Sequence, residues 1–79
     1  MLNELTTDER RTVAALRRDA RSGELQAQRQ RAGVDASELA AEAGVHPVTV
    51  RRVETARTRP DARTALAIAS ALDRLRASK

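Results

Sequence analysis

The residues best suited to chemistry crowd into one stretch: His46, Pro47, Val48, Thr49, Arg51 and Arg52, followed closely by Thr55, Arg57, Thr58 and Arg59. Arginine presents a planar fork of donors that matches paired acceptors, such as phosphate oxygens or the O6 and N7 edge of guanine. Fourteen of the fifteen positive residues in the chain are arginine. Their distribution is uneven: residues 1–45 carry a net charge of −1 and residues 46–79 a net charge of +5. The basic half therefore coincides with the His46–Arg59 stretch, and its chemistry points to a polyanion. Composition alone leaves a second source open, since GC-rich codon usage also favours Arg and Ala.

Other chemistries lack their parts. With no cysteine there is neither a disulfide nor a thiolate metal site, and one histidine has no soft ligand beside it. No Gly-rich phosphate loop and no Ser/His/Asp set at workable spacing is present, and 79 residues build too small a core to enclose a catalytic pocket. An enzyme, a metal and a cofactor are not expected. The start, Met1-Leu2-Asn3-Glu4, has neither the basic nor the apolar character of a signal peptide. No apolar run approaches the ~18 residues of a membrane span. A soluble, cytoplasmic protein is the expectation.

The elements that must position the arginines are helices; no strand-like alternation occurs. Residues 1–22 read as a first helix, with Thr6 and Glu9 at capping-box spacing, Val13, Leu16 and Ala20 on one face, and Gly23 as the stop. Leu25 to Ala32 is a second helix, ended by Gly33. Asp35 and Glu38 resemble another capping box, opening a third helix with Leu39, Ala40 and Ala43 on its apolar face. Gly44 breaks that helix, and His46-Pro47 begins a fourth, Pro being well placed where no N–H is needed. Asp61 caps a last helix bearing Ala65, Leu66, Ile68, Ala69, Leu72 and Leu75. Half of the apolar residues are alanine and there is no Phe, Tyr or Trp, so the core is marginal and would gain from a partner subunit.

The third and fourth segments form a helix-turn-helix. Two short helices that cross steeply through a brief turn need a small residue where they approach (Ala40) and a positive φ in the turn (Gly44). Leu39, Ala43, Val45, Val50 and Val53 then fill the space between them, which leaves His46, Pro47, Val48, Thr49, Arg51, Arg52 and Thr55 outward.

In these residues the chain resembles the Cro/C1-type (XRE-like) helix-turn-helix family, and a small phage or prophage repressor in particular. The resemblance rests on Gly33-Val34-Asp35-Ala36-Ser37-Glu38-Leu39-Ala40, the turn Gly44-Val45-His46, the stretch Val53-Glu54-Thr55-Ala56-Arg57-Thr58-Arg59-Pro60 and the apolar helix from Asp61 to Leu72, covering about residues 25–75. It implies an all-α, five-helix, lambda-repressor-like fold with an extra N-terminal helix. Residues 1–22 would be the extension and residues 23–79 the DNA-binding domain. It further implies that His46, Pro47, Val48, Arg51 and Arg52 read bases, that Thr49, Arg57, Thr58 and Arg59 contact phosphate, and that Arg29 and Glu54 form a structural ion pair. Three positions depart from the family pattern: Ala36 replaces a phosphate-contacting Gln, Ala56 replaces a Gly, and Gln28 stands for a Leu. The Arg10-Arg11 and Arg17-Arg18 pairs lie near acids and read as a solvated face.

The expected function is a sequence-specific transcriptional regulator, a repressor, that binds a near-palindromic duplex as a homodimer through the last helix near Leu72 and Leu75 or through the N-terminal helix. The alternative is a protein-interaction module or antitoxin whose N-terminal helix docks a partner through Leu2, Leu5, Val13 and Leu16. The run from Ala43 to Val50 also fits other helix-turn-helix families, against which the helical tail after Pro60 argues.

Overall fold

Thr6 decides where the chain first becomes helical. Its Oγ1 accepts the Glu9 N–H at 3.0 Å while Glu9 Oε1 accepts the Thr6 N–H at 2.9 Å, a closed capping box. The computed structural model describes residues 4–78. Helix α1 (Thr7–Ser22) accordingly begins seven residues into the chain, later than the sequence pattern suggests. The expectations that fall on Met1 and Leu2 lie outside the described residues.

Gly23, at φ 86°, both ends α1 and opens α2 (Glu24–Arg31), so the two helices meet at a corner with no linker between them. The Ser22 hydroxyl accepts the Glu24 N–H at 3.3 Å there. Helix α3 (Ala36–Ala43) starts where Asp35 Oδ1 accepts the Glu38 N–H at 2.8 Å. Helix α4 (Pro47–Glu54) follows, and α5 (Ala62–Ser78) begins where Asp61 Oδ1 accepts the Thr64 N–H at 2.8 Å. That hydrogen bond, chiefly, holds the Asp61 carboxyl below its usual range. These five helices make the described residues all-α.

Helix α5 is the central support, packed against α1 on one side and α3 on the other, while α4 leans on α3. Leu25, Leu39, Ile68, Val50 and Val53 are fully enclosed. Val13, Leu16 and Ala20 of α1 belong to the same core, together with Ala40, Ala65, Ala71 and Leu72. The alanines let backbones come close without aromatic filling; Ala40 is completely buried.

Three expectations change as a result. Val13 and Leu16 are 4% and 5% exposed, so they hold α1 to the core and are not a free surface for a partner. Leu72 is 3% exposed and likewise serves the core instead of a subunit contact, whereas Leu75 stays half-buried at its rim. Arg17 is not a solvated charge. Its Nε and Nη2 both donate to the Pro60 carbonyl, at 3.0 and 2.8 Å, and so tie α1 to the loop after α4.

Candidate nucleic-acid interface

Gly44 takes φ 73°, and its turn closes through two hydrogen bonds: Gly44 N–H to Ala41 O at 3.3 Å and Val45 N–H to Ala40 O at 3.0 Å. This is a Schellman ending, which satisfies the last carbonyls of α3 and redirects the chain at once. Val45 is half-buried against the core. His46 returns to an extended conformation and becomes the N-cap of α4, its Nδ1 accepting the Val48 N–H at 3.1 Å. The ring is therefore oriented by the helix it caps, with the imidazole side chain exposed. Pro47 fills the first helical position, and Thr49 N–H donates to His46 O at 2.9 Å.

Eight residues then divide between two faces. Val50, Val53 and Glu54 turn inward, with 0%, 1% and 7% exposure. Val48, Arg51 and Arg52 are exposed, and Pro47 and Thr49 lie half-buried at the edge. Val48 is the large apolar side chain most clearly left to solvent among the described residues. No carboxylate among the described residues pairs with Arg51, Arg52, Arg57 or Arg59. An apolar contact and two free guanidinium groups thus share one protruding helix face, which suits the methyl groups and acceptor edges of a major groove.

The base of α4 is fixed from inside. Arg29 is 8% exposed, and its Nε and Nη2 donate to Glu54 Oε2 and Oε1 at 2.6 and 3.1 Å. Its Nη1 donates to Val34 O at 2.8 Å. A buried guanidinium and carboxylate are costly to dehydrate and stay inside only when paired and hydrogen-bonded on this scale. The pair fastens the end of α2 to the last residue of α4, which sets how α4 stands relative to the core. On the surface, Arg74 Nε meets Glu42 Oε2 at 2.7 Å and links α5 to α3; such exposed pairs contribute little.

After α4 the chain makes a second Schellman ending, with Ala56 N–H to Val53 O at 3.1 Å and Arg57 N–H to Arg52 O at 2.8 Å. The left-handed position here is Ala56, at φ 60°. An alanine there keeps the turn but carries the strain of its Cβ. Arg57, Thr58 and Arg59 follow, all exposed, until Pro60 is buried and held by Arg17. The expected residues accordingly fall into two groups joined by one turn: an α4 face (His46, Pro47, Val48, Thr49, Arg51, Arg52) and a basic loop (Arg57, Thr58, Arg59). Ala36 and Gln28 are half-buried, and Gln28 Nε2 donates to Glu24 Oε2 at 3.3 Å. The role of Arg17 had no signal in the sequence, because its acceptor is a backbone carbonyl 43 positions away.

The sequence matches the helix-turn-helix family over residues 25–76, a span that runs from the start of the core in α2 nearly to the end of α5. The chain belongs to the Cro/C1-type helix-turn-helix family. No curated protein and no solved structure matches it. Membership makes this Cro/C1-type protein a DNA-binding transcription regulator, of a family that is regulatory and not enzymatic. Helix α1 lies outside the matched span although it contributes to the core. Among the described residues no helix is long and apolar enough to cross a membrane, and no group of His, Asp or Glu side chains is arranged to hold a metal ion.

Proposed function

We propose that the protein is a sequence-specific repressor that inserts residues 47–55, α4 and its C-cap Thr55, together with the His46 N-cap, into the major groove of a near-palindromic operator. The observation that carries this reading is the exposed, unpartnered face of α4, on which Arg51 and Arg52 stand beside Val48. Arg52 grips a guanine through O6 and N7, Val48 and Pro47 meet a thymine methyl, and His46 and Arg51 flank them. Thr49, Arg57, Thr58 and Arg59 hold backbone phosphates, which fixes register but carries no sequence information. The buried Arg29–Glu54 pair is structural. Residues 23–79 form the DNA-reading unit and residues 1–22 its N-terminal extension, whose α1 buttresses it, in the cytoplasm.

One such helix reads only a few base pairs. Two copies on half-sites about 34–36 Å apart would double the contact, so the DNA-bound form is a homodimer. The half-buried rim of α5 around Leu75 is the surface proposed for that contact. The proposed sign of regulation is repression, in which the bound dimer would occlude a promoter. The test is binding of the DNA upstream of the protein's own gene, followed by fluorescence anisotropy, with sedimentation of the complex. An inverted repeat bound by two copies, and a reporter silenced by the protein, are expected. Binding that is indifferent to sequence, or undiminished in Arg52→Ala, would sink the reading.

A further inference from the structure

Outside the α4 face, the cleft beside the loop after α4 gathers three arginines. It measures about 150 Å³ and is lined by Arg17 and Arg21 of α1 and by Ala56, Thr58, Arg59 and Pro60 of the loop after α4. We infer that this cleft takes a backbone phosphate of the bound duplex, and that Arg21, a residue of the N-terminal extension, is one of its ligands. The inference rests on the reading of α4 as the groove-entering helix, because it places the next phosphate contact beside the end of that helix.

Arg17 is spent on the Pro60 carbonyl through Nε and Nη2. It locks the loop against α1 and leaves its charge in the wall of the cleft. Arg21 sits four residues on, one helical turn away and so on the same side of α1. It is exposed, and no ion pair or side-chain hydrogen bond occupies it among the described residues. Arg59 and Thr58 line the cleft from the loop. None of the lining residues is acidic. The nearest carboxylate in sequence, Asp61, accepts the Thr64 N–H at the start of α5 and lies within electrostatic reach of Arg17, whose charge it partly offsets, which leaves Arg21 and Arg59 as the cleft's uncompensated cations. A water occupies about 30 Å³ of liquid, so the cleft has room for a group several times that size. Three arginines and a threonine among the lining residues, with no acidic residue in the lining, favour an oxyanion. Its position immediately past Thr55, where α4 ends, selects a phosphodiester of the same DNA over a free anion. The extension outside the family-matched span thereby becomes part of the DNA footprint.

The experiment is a salt titration of affinity with intact protein on a specific duplex and on an unrelated one, comparing wild type, Arg21→Ala, Arg21→Lys and Arg52→Ala. Each phosphate contact contributes a slope of about −0.9 in log K against log salt, which corresponds to roughly 5- to 10-fold in affinity near 0.1 M salt. Arg21→Ala is expected to lose that factor on both duplexes alike, with the slope shallower by about one and an unchanged melting temperature; Arg21→Lys should recover most of it. Arg52→Ala is expected to lose affinity on the specific duplex only. If Arg21→Ala matches wild type in affinity and slope while Arg52→Ala weakens specific binding, the cleft proposal fails and the α4 reading stands. If Arg52→Ala also has no effect, the α4 reading fails first. A final arm titrates inorganic phosphate and follows amide shifts at Arg21 and Thr58. Shifts with phosphate but no effect of Arg21→Ala on DNA binding would mark a free-anion site and overturn the proposal as stated.

Discussion

Arg29 and Arg52 are the same residue type in opposite settings. Arg29 is 8% exposed, with Nε and Nη2 on Glu54 and Nη1 on a backbone carbonyl; Arg52 is exposed and has no partner among the described residues. The difference teaches that a charge count says nothing of what a charge does. Arg29 has been withdrawn from water and neutralised, so it is part of the framework. Arg52 remains hydrated and available, and gives up its water only when another molecule supplies acceptors in the right geometry. The framework arginine also aims the available one, because Glu54 is the last residue of the helix that carries Arg52.

The sharpest way to break this comparison is to truncate both. Removing one partner of a buried pair strands the other, at a cost of about 3–5 kcal/mol. A domain of this size is stable by only about 4–12 kcal/mol, so Arg29→Ala is expected to lose a large fraction of its stability in urea titration at 25 °C. Arg52→Ala should fall within about 0.5 kcal/mol of wild type in the same titration, as exposed substitutions do. Equal losses from the two would erase the distinction.

Binding measures the other half. Arg52→Ala is expected to lose about 1–3 kcal/mol on the specific duplex, the worth of one bidentate base contact. The fold, followed by far-ultraviolet circular dichroism, should be unchanged.

A smaller effect sharpens the boundary between framework and face. Ala56 holds a left-handed φ of 60° between the last inward residue of α4 and the basic loop. That conformation costs an alanine about 1–2 kcal/mol, part of which glycine gives back through its freer unfolded chain. Ala56→Gly should therefore stabilise the fold by roughly 0.5–1 kcal/mol in thermal melts, with DNA affinity unaltered. A loss of stability would show that the turn gains something from the methyl group.

The smallest expected effect is on pH. Asp61 has its folded pKa below the ordinary carboxylate value because its carboxylate accepts the Thr64 N–H. Its contribution is present above the unfolded pKa and lost as pH falls through the folded one. Glu24 behaves likewise, lowered first by its hydrogen bond from Arg31. Stability should drop modestly on acidification below the usual carboxylate range, and Asp61→Asn should flatten that part of the profile. A profile identical to wild type would remove Asp61 from the account.

Much of the fold was legible. The breaks at Gly23, Gly33 and Gly44 all carry positive φ, and Thr6, Asp35, His46 and Asp61 each stand at a helix start. The inward positions Leu39, Val50 and Val53 followed from helical spacing alone. What spacing could not separate was an apolar residue that serves the core from one that serves a neighbour, so Val13, Leu16 and Leu72 were given to partners that the fold itself replaces. Nor could it show that Arg17, set among charges, reaches a carbonyl far along the chain.

The amino-acid order by itself determined the local events: where each helix starts and stops, which stripe of it is oily, and that a turn with a left-handed residue separates the third helix from the fourth. Those follow from neighbours within a few residues, where sterics and capping act. Beyond the Arg29–Glu54 pair that the family resemblance implied, only the tertiary structure decided which arginines are anchors and which are free, because that depends on acceptors brought near by folding and on how much water each site keeps. A guanidinium becomes framework when Glu54 or the Pro60 carbonyl meets it, and remains an instrument where nothing does.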